Sequence, residues 1–423
     1  VTSLLVLVTG CGTRLPDSAF SPRASTAPPG GEIRVGMVDT VSGPLGPGVF
    51  DGPMYGAQAY FKDLNAHGGV DGRKITVFGC DDGGAGPGNV DCVHKLIDQD
   101  RVLAFAGTSV YDYAGARYVD QKGVPDVGGQ PIGNAYDQWR TLFSIYGSDE
   151  PRDGKVGWDG KLYAGTEVYR YFKQKVGAHE AAVVYYNQAS SIAYAQSIVA
   201  GLQAEGYGVV KEEADLALPN YGAAVADMKA HKVDIVFDAL DTSGNGALCQ
   251  AMDAAKLSVL AKVTTVQSWN SGVGADFAKS ARCRNELWAT SSDRNYEDTQ
   301  IPEVAAFRNA VRAYAPGRPL SMWMLEGYVS AMWLTDALRS CRGTPSRACV
   351  LSFMQSGRPY DAHGLIIPAA FHSLPKPPAT STNCLNVARW QDSADGGRGG
   401  WVTQVPDMRT NCFTVPELPY SPG

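Results

Sequence analysis

The run Ile33-Arg34-Val35-Gly36-Met37-Val38 is short, rich in β-branched residues and closed by Ser42-Gly43-Pro44. Beyond it, Met54, Ala57, Tyr60, Phe61 and Leu64 recur at helical spacing, which predicts an amphipathic helix. That helix stops at Asn65-Ala66-His67-Gly68-Gly69-Val70-Asp71-Gly72, where glycine supplies a left-handed terminus. A second strand is predicted at Ile75–Phe78, a helix around 90–98, and further strands at Val102–Ala106 and near Val124–Val127. Strands alternating with helices at this interval form βαβ units and a parallel sheet.

The theme restarts after residue 150. A helix is predicted over 160–176, then a strand at Ala181–Tyr186, a helix over Ser197–Ala204 and a strand at Tyr207–Val210. A helix at Val225–His231, a strand at Val233–Phe237, a helix at Ala247–Ala255 and a strand at Ala261–Val266 follow. Two similar α/β lobes in series account for this order. A long helix spans about 320–340, with Trp323, Gly327, Ala331, Leu334 and Leu338 on one side. After residue 357 the chain is poor in periodic signal and rich in Pro, Gly and Asn, a segment with little core of its own.

Composition narrows the class. The chain has 423 residues, enough for roughly two to three domains. Hydrophobic residues make up 44% and charged residues 19%, which excludes global disorder. No apolar run approaches the ~20 residues of a membrane span. A net charge of −6 with no basic block disfavours nucleic acid as a partner.

The N-terminal Leu4-Leu5-Val6-Leu7-Val8 core followed by Thr9-Gly10-Cys11 suits a signal-peptide h-region and resembles a bacterial lipobox, with Cys11 as the lipidated residue. A stray cysteine on a buried strand is the alternative. Residues 12–31 have the Pro, Ser, Ala and Gly content of a flexible tether. Eight cysteines remain, an even number that fits disulfides in an exported protein. Pairing between sequence neighbours gives Cys80–Cys92, Cys249–Cys283, Cys341–Cys349 and Cys384–Cys412. Zinc is the competing reading, but no Cys-x-x-Cys or Cys-x-x-His spacing occurs.

Catalytic patterns are missing. There is no Gly-x-Ser-x-Gly, His-Glu-x-x-His or Walker loop. The Gly-x-Gly runs at 86–88, 244–246 and 272–274 lack the third glycine of a dinucleotide fingerprint and read as turns. The six histidines are scattered, and Asp81-Asp82 directly follows a strand, where a turn or helix cap is the simpler role. No nucleophile or general base presents itself for a secreted hydrolase, and no cofactor is implied.

The stretch Asn65 to Gly72 together with Ser42-Gly43-Pro44, Asp81-Asp82, Gly107-Thr108-Ser109, Gly123-Val124-Pro125, Ala182–Leu202, Ile235–Leu257 and Gly327-Tyr328 resembles the type I periplasmic binding proteins. The nearest branch is the one binding leucine, isoleucine and valine and its amide and urea relatives. The resemblance covers roughly residues 32–340. It implies an α/β fold of two Rossmann-like lobes with parallel sheets, joined by three crossovers near 143–150, 288–295 and 357–364. Residues 1–31 are then signal remnant and tether. Lobe I takes 32–145 plus 293–357, and lobe II takes 146–290 plus 362–423. It also implies closure on a ligand that touches both lobes.

The same resemblance carries a ligand set onto this sequence. Ser109 and Tyr111 fall in the loop after the third strand, where a serine of the family binds a ligand carboxylate. Gln130 falls after the fourth strand, in place of a small hydroxyl residue. In the second lobe, Ser190 and Asp241 replace aromatic residues, and neutral Gln267 replaces the acid that pairs with an amino-acid ammonium. Trp269 and Trp323 offer aromatic surface. Asp241 has a second reading as the cap of a helix beginning near Ser243, Ser109 as an N-cap, and Trp323 as core. An α-amino acid needs a counter-ion for its buried ammonium, which Gln267 cannot supply.

The function implied is a lipid-anchored, monomeric solute-binding protein at the outer face of the membrane or in the periplasm. It takes an amino acid, an amide or a small aromatic or carboxylic compound to the permease subunits of an ABC importer. A ligand-sensing lipoprotein that reports to a receptor uses the same cleft.

Overall fold

Strand β1 (Ile33–Asp39) forms because Ile33, Val35 and Met37 alternate onto one face, and each is fully buried. The computed structural model describes residues 31–43, 50–130 and 132–421. Cys11 and the tether lie outside that range. Helix α1 (Gly52–Ala66) buries Ala57, Tyr60, Phe61 and Leu64 in the first lobe's core, with Tyr60 edge-on to Tyr328. It ends where Gly68 and Gly69 take φ of +101° and +74°. A Cβ on Gly69 would lie 2.0 Å from the Arg73 carbonyl oxygen, so the tight bridge between Val70 and Arg73 requires glycine there.

The chain continues through β2 (Ile75–Asp81), α2 (Gly86–His94), β3 (Ala104–Ala106), α3 (Ala116–Gln121), β4 (Asp126–Gly128), α4 (Ala135–Gln138) and β5 (Leu142–Ser144). These strands make an all-parallel sheet in the order β2-β1-β3-β4-β5. The order reverses between β1 and β3, which places a crevice at the carboxyl ends of those two strands.

A second lobe repeats the plan. It contains β6 (Leu162–Gly165), α5 (Glu167–Tyr171), β7 (Glu180–Tyr186), α6 (Ala189–Ala204), β8 (Gly208–Ala214), α7 (Tyr221–Ala230) and β9 (Ile235–Ala239). Then come α8 (Thr242–Ala254), β10 (Ala261–Val263), α9 (Val273–Asp276), α10 (Ala281–Arg284) and β11 (Leu287–Ser291). The chain returns to the first lobe as α11 (Pro302–Tyr314), α12 (Met322–Ser340) and α13 (Arg347–Met354). It ends with β12 (Thr380–Cys384), β13 (Asn386–Gln391), α14 (Ala394–Gly397), β14 (Gly400–Thr403) and β15 (Cys412–Tyr420). The second sheet runs β14-β13-β11-β10-β9-β7-β8. Its β8-β7-β9-β10-β11 part is parallel, and β13 and β14 are antiparallel additions. Here the order reverses between β7 and β9.

Two expectations change. The segment 160–176 is not one helix: Leu162–Gly165 is a strand, paired with Glu417–Tyr420, before α5 begins. The partner lies some 250 residues away, so local periodicity could not reveal it. The aperiodic region after 357 contains four strands, which draw their order from β11 and β6 rather than from a core of their own. Disulfides join Cys80–Cys92, Cys249–Cys283, Cys341–Cys349 and Cys384–Cys412. The last of these links directly opposed positions of β12 and β15. Among the described residues no helix is long and apolar enough to cross a membrane.

Helix α12 fixes the geometry of the first lobe's crevice. A Cβ on Gly56 would lie 1.8 Å from the Met324 carbonyl oxygen, and one on Gly327 would lie 1.9 Å from that of Pro53. The backbones of α1 and α12 are thus in direct contact, which brings Trp323 and Glu326 over the start of α1. The lobes also meet through main chain. Ser271 N–H donates to Leu320 O (2.7 Å), and Met322 N–H donates to Trp269 O (3.0 Å).

Candidate functional site

Asp39 and Ser109 stand at the ends of β1 and β3, one on each side of the first lobe's reversal point, as partners in a parallel bridge. Both are buried, Asp39 at 1% exposure and Ser109 at 0%. The Ser109 Oγ has no hydrogen-bond partner among the described residues, and the Asp39 carboxylate has no side-chain donor among them, only the backbone N–H of Ser109 directed at it. Burial, and then the charges of Asp82, Asp126 and Asp51, push the Asp39 pKa well above the usual carboxylate range. Around this pair the loops interlock. Thr40 N–H donates to Ser109 O (3.0 Å), Tyr111 N–H donates to Thr40 Oγ1 (3.1 Å) and Thr40 Oγ1 donates to Asp82 Oδ1 (2.8 Å).

An aromatic wall rises beside it. Phe50 stacks on Trp323 with ring centroids 5.7 Å apart and meets Tyr111 at 6.1 Å. Tyr111 is 41% exposed, Trp323 half-buried and Phe50 buried. The indole N–H of Trp323 has no acceptor among the described residues.

A third group lies where the lobes join. Tyr146, just past β5, donates its hydroxyl to Glu326 Oε1 (2.8 Å) and lies 3.1 Å from Gln130 Oε1. Glu326 is fully buried, and its Oε2 is unpartnered among the described residues. Burial and then the Asp293 charge raise its pKa, against the hydrogen bond from Tyr146. Asp293 is itself fully buried between β11 and α11; burial lifts it to about 7, opposed by the Ser291 hydroxyl.

The second lobe contributes a matching pair at its own reversal point. Tyr186, at the end of β7, donates its hydroxyl to Asp241 Oδ1 (2.8 Å), which follows β9. Asp241 also accepts from Gly244 N–H (2.7 Å) and so caps α8. Of the two readings of Asp241, the cap is the one the structure displays.

The sequence-derived residues separate accordingly. Ser109, Tyr111 and Trp323 converge on the first crevice, and Gln130 belongs to the Tyr146–Glu326 group. Ser109 caps none of the helices described here, and Trp323 is at the wall rather than in the core. Gln267 is half-buried in the turn after β10. Trp269 does not present the open aromatic surface expected of it: it is 0% exposed and packs 5.7 Å from Trp401, with its indole N–H unpartnered among the described residues. The side chain of Ser190 lies outside the described residues. Asp39, Phe50, Tyr146, Asp293 and Glu326 were not anticipated. Only Asp39 left a signal, as the next member of the alternating series Ile33, Val35 and Met37.

Two lobes built on parallel sheets, with polar groups gathered at both reversal points, are the architecture of a solute-binding protein. The family model described as "Periplasmic binding protein" matches residues 32–397. The chain belongs to that family of solute-binding proteins and is not an enzyme. Among solved structures, it is similar to a fatty acid ABC transporter substrate-binding protein from Thermomonospora curvata (16% identity, 93% of this chain and 97% of that one, TM-score 0.67). It also resembles the branched-chain amino acid transporter substrate-binding protein LivJ of Streptococcus pneumoniae, in complex with isoleucine (17% identity, 88% and 99%, TM-score 0.64). A solute-binding protein from R. palustris in complex with benzoate is a third (16% identity, 92% and 97%, TM-score 0.65). At these identities the likeness is one of fold. No curated protein matches the sequence.

Proposed function

We propose that this chain captures a small polar organic solute between its lobes and delivers it to the permease subunits of an ABC importer. It does so outside the cytoplasmic membrane, held there by lipid on Cys11. The single observation supporting capture is the set of buried polar atoms without a side-chain partner among the described residues at the lobe I reversal point, Ser109 Oγ and both Asp39 carboxylate oxygens. Buried polar groups without partners cost about 1–3 kcal/mol each, a cost that a ligand's complementary groups remove on binding. Closure follows if the ligand reaches both crevices, because only contacts present in the closed state shift the equilibrium toward it. The crossovers near 143–150, 288–295 and 357–364 serve as the hinge in this reading.

Native mass spectrometry of the purified protein, with a thermal-shift screen of amino acids, amides, aromatic acids and short peptides, tests capture. A ligand at about a hundred times its Kd adds about 2.7 kcal/mol. A co-purifying solute, or a shift with a contraction in solution scattering, supports the reading. A protein that retains nothing, shifts with nothing and does not contract refutes it. The anchor is tested separately: Cys11→Ser should move the protein from the membrane fraction to the soluble one.

A further inference from the structure

We infer that the solute is an organic cation, bound by its ammonium group at Asp39 and flanked by the Phe50, Tyr111 and Trp323 rings. This rests on the solute-capture reading and names its substrate class.

Charge across the whole cleft points the same way. Ten parallel strands direct their carboxyl ends into segments 39–43, 81–85, 107–115, 128–134, 144–150, 186–190, 214–220, 239–243, 264–271 and 291–295. Together these hold nine acidic residues and one basic residue, Arg294. Arg294 is already engaged, donating to Gly364 O (3.2 Å) and lying 3.2 Å from Asp407. Arg318, beside the start of α1, bonds Asp51 (3.0 Å) and sits over the Tyr55 ring. Asp39 has no cationic side chain paired with it among the described residues. Most of these acids are themselves hydrogen-bonded within the protein, so the balance of charge disfavours an anionic ligand and leaves Asp39 as the acid open to a cation.

The second observation is independent of charge counting. Both Asp39 oxygens are buried and have no side-chain donor or cation among the described residues, only the Ser109 backbone N–H, so the carboxylate keeps acceptor capacity that this part of the protein does not fill. A ligand carboxylate at Ser109 would lie against its bridge partner Asp39, an arrangement that favours neither group. An ammonium there satisfies Asp39 and can donate to the Ser109 Oγ as well. The adjoining Phe50, Tyr111 and Trp323 rings pack into one aromatic surface, against which an alkylammonium or quaternary ammonium group can lie. Charge and shape thus select the same ligand class.

Isothermal titration of the whole protein with choline, benzylamine, 3,3-dimethylbutanol, benzoate and leucine tests the inference. Choline or benzylamine should bind, while the neutral isostere 3,3-dimethylbutanol and the aromatic anion benzoate should not. Asp39→Asn should weaken the amine at least tenfold without lowering the unfolding temperature of the unliganded protein. If that variant does not fold, Trp323→Leu serves instead, and it should weaken choline more than benzylamine. Binding of benzoate or leucine that is unchanged or tighter in Asp39→Asn would overturn the cationic class while leaving solute capture intact. Failure of both amines to bind also overturns it, and the co-purification result then judges capture on its own.

Discussion

Tyr146 donates its hydroxyl to Glu326 across 2.8 Å, joining the segment that leaves the first sheet to a helix that returns more than 170 residues later. It is the one donor the fully buried Glu326 carboxyl has among the described residues.

Removing that donor should therefore cost more than one ordinary hydrogen bond. Tyr146→Phe leaves both Glu326 oxygens unsatisfied and is expected to destabilise by about 1–3 kcal/mol. Glu326→Gln keeps an acceptor for Tyr146 while removing an ionisable group from a buried site, and should be neutral or stabilising. Thermal unfolding of the two variants decides the point; equal losses would show that the contact is incidental.

Inside the second lobe, Lys262 and Asp238 are both buried, with Nζ 2.7 Å from Oδ2. Asn245 completes the set by accepting from Lys262 through Oδ1 and donating to Asp238 Oδ1 through Nδ2 (2.9 Å). Lys262→Met strands a carboxylate in the core and should cost about 3–5 kcal/mol. Lys262→Met with Asp238→Leu should recover much of that loss. Urea denaturation of the single and double variants measures it, and additive losses would contradict the pairing.

The contact between α1 and α12 leaves no room for a methyl group. Gly327→Ala places a Cβ against the Pro53 carbonyl, and Gly56→Ala places one against that of Met324. Overpacking of this kind typically costs about 1–3 kcal/mol, and both positions oppose main chain that cannot rotate away. Each variant should unfold at lower temperature and should displace Trp323, read as a change in tryptophan fluorescence. An unaltered melting curve for Gly327→Ala would show that the helices can separate.

Acidic solution should stabilise the fold over part of the range. Burial raises Asp126 to about 6, despite hydrogen bonds from Tyr113, Thr108 and Tyr136, and raises Asp293 to about 7. Carboxyls whose folded pKa lies above the unfolded value bind more protons in the native state. Stability is then full below about pH 4 for these groups and falls as pH rises through 6 and 7. At about 1.4 kcal/mol per pKa unit the full effect is on the order of 3 kcal/mol for Asp126 and 4 kcal/mol for Asp293. Asp392, held at about 2 chiefly by Arg284, has the opposite sign but acts below pH 4. Calorimetry at pH 5 and pH 8 should give the higher unfolding temperature at pH 5, and Asp293→Asn should reduce the difference. A higher value at pH 8 would reverse the assignment.

Much of the architecture could be read from local pattern. The alternating Ile33, Val35 and Met37, the helical series ending at Leu64 and the stop at Gly68-Gly69 each carry their own physical reason within a few residues. What escaped was non-local. Leu162–Gly165 is a strand only because Glu417–Tyr420 lies beside it, and Trp269 is core only because Trp401 covers it. The crevice shows the same division. Ser109 and Tyr111 follow from their place after a strand, but Tyr146 and Glu326 acquire a role only when two distant segments meet.

The pairing of β15 with β6 also bears on how a nascent chain matures. Leu418 lies opposite Ala164, so the edge at residues 162–165 stays open until residues 412–420 have been synthesised. The close fit of α1 to α12 imposes a similar wait on the first lobe. Neither half can finish before the distant segment it needs has arrived. Contacts of such long sequence separation slow folding, and an unpaired strand edge invites association in the interval. Production of this protein should therefore depend on whatever shields that edge until elongation has passed residue 420.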